Sequence, residues 1–179
     1  MKVSMDTITI IQADLENTAH VSDLREIWSI LKLEGETRYE TARSANNATD
    51  FNIELFKNPA VGCVIFLAMT TEQTIGIAIC QTCMSSWDLA PVLNIHDFFV
   101  MEKFRGQGIG TLVIRFIERY ASKNGMSKVT LETNVGNIDA RRLYKNLGYS
   151  GAAVDANDNC LLDNKQSNSS IVIQLRKKI

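Results

Sequence analysis

"KFRGQGIGTLVIRF", residues 103–116, places three glycines directly before an apolar helical pattern. Apolar side chains then recur at i, i+3, i+4, i+7, i+8 and i+11, a spacing that predicts an amphipathic helix: Ile109, Leu112, Val113, Phe116, Ile117 and Tyr120. The first amides of a helix have no partner within the helix and carry a partial positive charge. Glycines let a ligand approach such a backbone closely. The junction is therefore typical of a cradle for a phosphate group, with Arg105 adding charge at its rim.

Two common phosphate-binding motifs do not fit this stretch. A P-loop needs a lysine after its last glycine, whereas Gly110 is followed by Thr111 and Leu112. A dinucleotide fingerprint needs G-x-G-x-x-G and a later acidic residue, whereas the spacing here is G-x-G-x-G and Glu132 is only a weak match. From the residues alone, a glycine-rich turn without a ligand stays open as the alternative.

The rest of the chain alternates strand and helix patterns. Short β-branched or apolar runs predict strands at residues 7–13, 61–69, 74–83, 92–101, 128–133 and 171–175. Helices are expected after caps at Thr18, Thr49 and Asn137, the last of them ending at Gly148. Residues 32–48 and 155–170 are polar and read as connecting segments. This order predicts an α/β fold with a mixed sheet flanked by helices, in one domain over residues 1–179.

Composition excludes several classes of protein. Of 179 residues, 45% are apolar and 22% charged, which is typical of a soluble globular domain. No apolar run reaches the ~18 residues of a membrane span, and the start "MKVSMDTITI" is unlike a signal peptide, so we expect a cytoplasmic protein without a membrane partner. The net charge of −1 argues against nonspecific binding to nucleic acid.

The cysteines do not predict a metal or redox site. Cys80 and Cys83 form a C-x-x-C, but no second such pair exists and the stretch around it is apolar and extended. We expect the thiols of this pair to be buried or half-buried, and we expect no metal. The other two cysteines of the chain are Cys63 and Cys160.

Three motifs in sequence order resemble one family. Residues 105–110, Arg-Gly-Gln-Gly-Ile-Gly, resemble the R/Q-x-x-G-x-G/A signature of the GNAT superfamily of acetyl-CoA-dependent N-acetyltransferases. "HDFFVMEKF" before them is similar to the family's fourth strand, and "NVGNIDARRLYKNLGY" to its later Asn…Tyr helix followed by LGF/Y. The resemblance covers residues 92–150 and implies a GNAT-like acyl-CoA N-acyltransferase fold. That fold has antiparallel N-terminal strands, splayed fourth and fifth strands, and flanking helices.

A subgroup resemblance lies in the same region. "WDLAPVLNIHDFFVMEKFRGQGIG" is similar to the central segment of diamine and polyamine acetyltransferases, and the residues that fit are Trp87, Asp97, Phe98, Phe99 and Val100. His96 departs from the pattern, because that group commonly has Glu at this place. The resemblance implies a small polyamine-like amine as acceptor.

The resemblance also implies how acetyl-CoA is held. Main-chain amides of the loop would bind its diphosphate, with Arg105 and Gly106 at the entrance: Gln107, Gly108, Gly110 and Thr111. The pantetheine arm would pair with the exposed strand backbone of Phe99, Val100 and Met101, and an amide near Val100 would meet the thioester oxygen. Asn137 would cap its helix, contact the cofactor, or do both.

The resemblance makes Tyr144 the candidate acid that protonates the leaving thiolate. The base stays open between His96 and Asp97, whose side chains face opposite sides of a strand, and Asp97 can equally bind a cationic amine. Glu34, Glu36 and Glu40 lie where the superfamily often walls its acceptor site, and Trp87 lies beside the matched strand. The alternative for the three glutamates is a solvated charged loop.

These features predict acetyl transfer to a primary amine by direct attack in a ternary complex, since no cysteine has the context of a nucleophile. The alternatives are a protein or peptide amine as acceptor, and a non-catalytic acyl-CoA sensor. Homodimers are common in this superfamily, so we expect one here, with "IVIQL", residues 171–175, as a strand that can pair across the interface.

Overall fold

The computed structural model describes residues 7–39, 51–151, 153–154 and 172–179. Its strands and helices, in chain order, are β1 (Thr9–Gln12), α1 (Thr18–Tyr39), α2 (Ile53–Lys57), β2 (Cys63–Met69), β3 (Thr74–Ser85), β4 (Ala90–Val100), α3 (Ile109–Lys123), β5 (Lys128–Asn134), α4 (Ile138–Asn146), β6 (Ala153–Val154) and β7 (Val172–Lys178). The strand order β1-β2-β3-β4-β5-β7-β6 confirms the mixed α/β fold.

The sheet is antiparallel except where a helix crosses over. β1 pairs antiparallel with β2, β2 with β3, and β5 with β7. β4 and β5 are parallel, as expected for strands that are joined through a helix such as α3. Their ladder runs only from Val92↔Lys128 to Ile95↔Leu131, although β4 continues to Val100. The last part of β4 therefore lies outside this parallel ladder.

The contacts of the chain divide it into two compact units. Unit 1 comprises the described residues up to Gln81 together with Asp97–Val113, and unit 2 comprises Thr82–His96 together with the described residues from Ile114 onward. In unit 1, α1 packs on the sheet through a buried cluster to which Leu24, Ile27, Ile65, Leu67, Ile77, Ile79 and Phe99 belong. Burial of these side chains is the main stabilising contribution to this unit.

Unit 2 contains a buried carboxylate held by two cations. Glu118 of α3 is only 7% exposed, and it accepts hydrogen bonds from Lys177 Nζ at 2.9 Å and from Arg115 Nη1 at 3.1 Å. Lys177 belongs to β7, so this cluster ties α3 to the C-terminal strand. A buried charge is tolerated only when it is paired in this way.

Replacing Lys177 by methionine is expected to lower the free energy of unfolding by about 2 kcal/mol, because Glu118 then keeps one cation instead of two. Urea unfolding followed by circular dichroism measures this change. The matched control is Arg142→Met, which breaks an exposed pair with Asp139 and should change stability by less than about 0.5 kcal/mol. Equal losses in the two variants would contradict a special role of the buried cluster.

Several helix boundaries differ from the sequence predictions. α1 continues to Tyr39 and so takes in part of the segment that was expected to be a connection. Asn17, not Thr18, caps it, because Asn17 Oδ1 accepts from the Ala19 amide at 2.9 Å. Asn52 caps α2 by accepting from the Glu54 amide, and the predicted cap Thr49 lies outside the described residues. Because Asn and Thr side chains can both cap a helix, the local sequence did not decide which of the candidate residues makes the cap.

Pairing of the last strand across a dimer interface stays a prediction. β7 pairs with β5 along its whole length, from Asn134↔Val172 to Lys128↔Lys178. On its other side it pairs with β6, and Arg176 bridges to Ser150. Val172, Ile173 and Arg176 of β7 therefore have partners within the chain on both sides. The polar segment 155–170 lies outside the described residues.

The prediction that the C-x-x-C pair is buried or half-buried is confirmed at Cys80 and wrong at Cys83. Cys80 is buried and Cys63 half-buried, but Cys83 is exposed. The reason is that the β2–β3 ladder ends at Cys63↔Gln81, so the far end of β3 extends beyond β2. Cys160 lies outside the described residues.

The described residues show neither a metal-binding cluster nor a membrane-spanning helix. They contain no group of three or more His, Cys, Asp or Glu side chains that could hold a metal ion. Over the same residues, no helix combines the length and the apolar character that crossing a bilayer requires. One domain over residues 1–179 stays a prediction.

Candidate functional site

The glycine loop joins β4 to α3 through a short 3-10 helix, Glu102–Phe104. Gly106 and Gly108 have φ of +72° and +83°, values that side-chain-bearing residues rarely adopt. The first bond of α3 runs from the Leu112 amide to the Gly108 carbonyl oxygen at 3.2 Å. The two glycines thus supply the left-handed backbone that turns the chain into the helix.

The loop fits a bound diphosphate. A Cβ built on Gly106 would meet no atom within 4 Å, so the space beside this backbone is open. The amides of Ile109, Gly110 and Thr111 lie in the first turn of α3, where no carbonyl one turn earlier within the helix can accept from them. Open space, small residues and the positive end of a helix are the features of an anion site. The side chain of Gln107 turns back and donates to the Lys103 carbonyl oxygen at 3.1 Å.

Arg105 has partners other than the one that the family resemblance implied. Its Nε donates to the Val100 carbonyl oxygen at 2.7 Å, and its Nη2 donates to Glu34 Oε2 at 2.5 Å. Its guanidinium carbon also lies 5.4 Å from the centre of the Phe99 ring. The guanidinium therefore binds the end of β4 and helix α1, rather than standing open at the loop entrance.

The last main-chain amides around the end of β4 point alternately toward β3 and away from it. The Met101 amide donates to the Ile75 carbonyl oxygen of β3 at 2.9 Å, so it is committed to β3 and is not available to a pantetheine arm. Because successive amides of a strand point to opposite edges, the Val100 amide lies on the edge away from β3. Of these two amides, that of Val100 is therefore the one whose direction fits the expected contact with the thioester oxygen.

Gly76 is a site residue that sequence reasoning missed. A Cβ on Gly76 would lie 2.9 Å from the Phe99 carbonyl oxygen, so β3 and the end of β4 approach closely only because this side chain is absent. A lone glycine within a strand pattern is the signal that indicates such an approach.

His96 and Asp97 lie on opposite faces of β4. His96 is exposed, whereas Asp97 is half-buried. Asp97 shares its face with Phe99, which packs on α1, because residues two apart on a strand face the same side. Burial, and then the negative charge of Asp97, raise the pKa of the Cys63 thiol to about 11.

Helix α4 carries the other two predicted residues. The prediction that Asn137 caps it is confirmed, since Asn137 Oδ1 accepts from the Ala140 amide at 3.3 Å. Tyr144 is 4% exposed, and its ring centre lies 5.8 Å from that of Tyr149. Burial raises the pKa of the Tyr144 phenol above its usual range. A phenol with a raised pKa stays protonated at neutral pH, as a proton donor must.

The residues expected at the acceptor side are spread over the chain. The carboxylate of Glu34 is half-buried and faces Arg105. Glu36 lies within α1, and Glu40 lies outside the described residues. Trp87 is 93% exposed on the turn between β3 and β4, where its neighbour Asp88 accepts from Lys128. The structure therefore describes only one of the three glutamate side chains, and the charge of that one is balanced by Arg105.

In comparisons with known proteins, the sequence matches described here are all to acetyltransferases. A sequence profile of the acetyltransferase (GNAT) family matches residues 22–149. An uncharacterized N-acetyltransferase of Methanocaldococcus jannaschii is 35% identical over 85 residues, which are 47% of this chain and 38% of that protein. The D-amino-acid N-acetyltransferase HPA3 of Saccharomyces cerevisiae is 29% identical over 126 residues, which are 69% of this chain and 78% of that protein. The chain thus spans well under half the length of the first relative.

A solved structure shows the same fold. The GNAT family acetyltransferase from Elizabethkingia anophelis with acetyl-CoA bound superposes with a TM-score of 0.62 over 97% of this chain and 99% of that one, at 19% sequence identity.

Proposed function

The chain belongs to the GNAT family of acetyltransferases, and from that premise we propose that it transfers the acetyl group of acetyl-CoA to a primary amine of a small, polyamine-like cation. The observation that carries the proposal is the loop before α3, where two glycines at positive φ lead into the first-turn amides of the helix and the space beside Gly106 is open. The relatives named N-acetyltransferases and the neighbour with acetyl-CoA bound support the same cofactor.

Acetyl-CoA, when bound, supplies an acetyl group activated as a thioester. The chain contributes the main-chain amides of residues 107–111 for the diphosphate, and a diphosphate in such a place is stabilised by the helix dipole. The Val100 amide is the donor proposed for the thioester oxygen, and a donor of this kind is worth about 3 kcal/mol in the barrier. Asn137 keeps its capping role and needs no ligand for it.

Asp97 is proposed to bind the cationic amine and to take up the proton that the amine must lose before it attacks. It is half-buried, and its negative charge contributes to the raised pKa of the Cys63 thiol. His96, which is exposed on the opposite face, is the second candidate for the base and would act through a water relay. Tyr144 is proposed to give its phenolic proton to the departing thiolate.

Transfer is proposed to be direct, without an acyl-cysteine. The nucleophilic form of cysteine is the thiolate. Burial raises the pKa of Cys63 to about 11 and raises that of Cys80 as well, so both thiols stay protonated at neutral pH. This supports attack by the amine itself in a ternary complex. We further propose that the protein works in the cytoplasm as a homodimer.

The acceptor class is tested by measuring release of free thiol from acetyl-CoA across a panel of amines, with mass spectrometry of the products. We expect kcat/KM for diamines and polyamines to exceed that for peptide α-amines and D-amino acids by at least about tenfold. Turnover of peptides alone would contradict the small cationic acceptor. Tight binding of acetyl-CoA without turnover of any amine would instead favour a sensor.

A further inference from the structure

We propose that Glu34 and Arg105 are positioning residues that clamp the peptide group between Val100 and Met101, and so orient the strand end that the acetyl transfer uses. The proposal rests on the proposed function for its catalytic consequence. The clamp itself is a property of the free protein. It assigns to Arg105 a task other than binding the diphosphate, and to Glu34 a task other than attracting the acceptor.

The peptide group is held from both sides. Its N–H, that of Met101, donates to the Ile75 carbonyl oxygen of β3 at 2.9 Å. Its carbonyl oxygen, that of Val100, points the other way and accepts from Arg105 Nε at 2.7 Å. Two bonds on opposite sides of one rigid peptide plane fix the rotation of that plane. The edge of β4 that faces away from β3 therefore has a defined orientation at Val100.

Glu34 fixes the arginine that does the clamping. Its Oε2 accepts from Arg105 Nη2 at 2.5 Å, and both side chains are about one-third exposed. The planar guanidinium carries several donors in a rigid arrangement, so one arginine can bridge a carbonyl oxygen and a carboxylate at once. Lysine has a single flexible ammonium group and cannot keep this geometry. Contact with the Phe99 ring holds the guanidinium plane further.

The clamp lies where the chemistry is proposed. Within a strand, the N–H and the C=O of one residue point to the same edge. Arg105 therefore binds the carbonyl oxygen on the edge that also carries the Val100 amide, which is the donor proposed for the thioester oxygen. A rotation of this peptide group would misdirect that amide, and a misplaced donor loses much of its effect on the transition state.

The free protein provides a test that does not depend on activity. Hydrogen exchange of the Met101 amide, measured by NMR, is expected to become at least about tenfold faster in Glu34→Gln than in the wild type, because the loosened arginine lets the peptide group open. The matched control is Glu16→Gln, which removes the exposed ion pair with Lys57 in the same unit and should leave this rate unchanged. An unchanged Met101 rate in Glu34→Gln would overturn the clamp.

Kinetics separate positioning from cofactor binding. Glu34→Gln and Arg105→Lys are each expected to lower kcat about tenfold while the dissociation constant of acetyl-CoA stays within about twofold, and the double variant should lose no more than either single one. A large rise of the dissociation constant in Arg105→Lys with normal kcat would show a diphosphate ligand instead and overturn the proposal, as would additive losses of kcat. If Arg105→Lys fails to fold, Glu34→Gln alone decides.

The two proposals fail in different ways. If the wild type turns over no amine, but Glu34→Gln still speeds the exchange of the Met101 amide, the proposed function is contradicted and the clamp stays supported. A wild type that acetylates amines, with Met101 exchange and kcat both unaffected by Glu34→Gln, would contradict the clamp alone.

Discussion

Replacing Gly108 by valine is expected to raise the dissociation constant of acetyl-CoA about a thousandfold, which corresponds to about 4 kcal/mol of binding free energy. Gly108 has φ of +83°, a conformation that costs a β-branched residue about 1–3 kcal/mol, so the loop would leave its present course. Amides that no longer converge on a diphosphate lose hydrogen bonds to a charged group, each worth about 1.5–3 kcal/mol. Isothermal titration calorimetry with acetyl-CoA measures the loss.

The chain offers a matched control for the backbone strain. Gly125, which follows α3, has φ of +68°, and a Cβ there would meet no atom within 4 Å. Gly125→Val therefore carries a comparable strain outside the loop, and it should lower the melting temperature while the dissociation constant changes by less than about twofold. Wild-type affinity in Gly108→Val would refute the loop as the diphosphate site. Equal loss of affinity in both variants would attribute the effect to misfolding.

Replacing Tyr144 by phenylalanine is expected to lower kcat by at least about a hundredfold, the usual range for a lost general acid. The affinity for acetyl-CoA should stay nearly unchanged, because the ring, which is 4% exposed and packs near Tyr149, keeps its place and only the hydroxyl is removed. Burial raises the pKa of Tyr144, and the donor acts while protonated. Loss of activity through this group should therefore begin only above pH ~10, the usual phenol pKa.

The control for Tyr144 is its neighbour. Tyr149 is also a buried phenol, and Tyr149→Phe removes the same atom from a comparable setting. Stopped-flow or steady-state kinetics should show kcat within about twofold of wild type for this variant. If Tyr144→Phe kept wild-type kcat, Tyr144 would not be the acid. If both variants were equally slow, the loss would reflect disturbed packing.

Local patterns in the sequence predicted much of the fold and the backbone of the site. The 3.6-residue spacing after Ile109 predicted α3, but its buried face is rotated from the predicted stripe. Ile114 and Ala121 are buried, whereas the predicted Leu112, Phe116 and Tyr120 are only half-buried. Asn137 predicted the start of α4 and Gly148, at φ +88°, its end. Alternation of strand and helix patterns predicted a mixed sheet. Each of these features depends on residues within one or two turns of one another, so the sequence carries the information directly.

The partners of the charged and polar groups could not be predicted from the sequence, because the residues that meet are far apart in the chain. Arg105 and Glu34 are separated by 71 positions, and no local pattern indicates that they meet. The ladder between β2 and β3 ends at Gln81, which exposes Cys83 although its sequence context is apolar. Pairing between β4 and β3 commits the Met101 amide, which the family pattern alone had left available.

By itself, the sequence determined the helix–loop backbone on which a diphosphate can rest, because glycine spacing and apolar periodicity act locally. Only the tertiary structure decided what the charged and polar groups around that loop do. A guanidinium, a carboxylate or an amide satisfies its hydrogen bonds with whichever partner the packed chain brings within about 3 Å, and that partner is set by long-range packing.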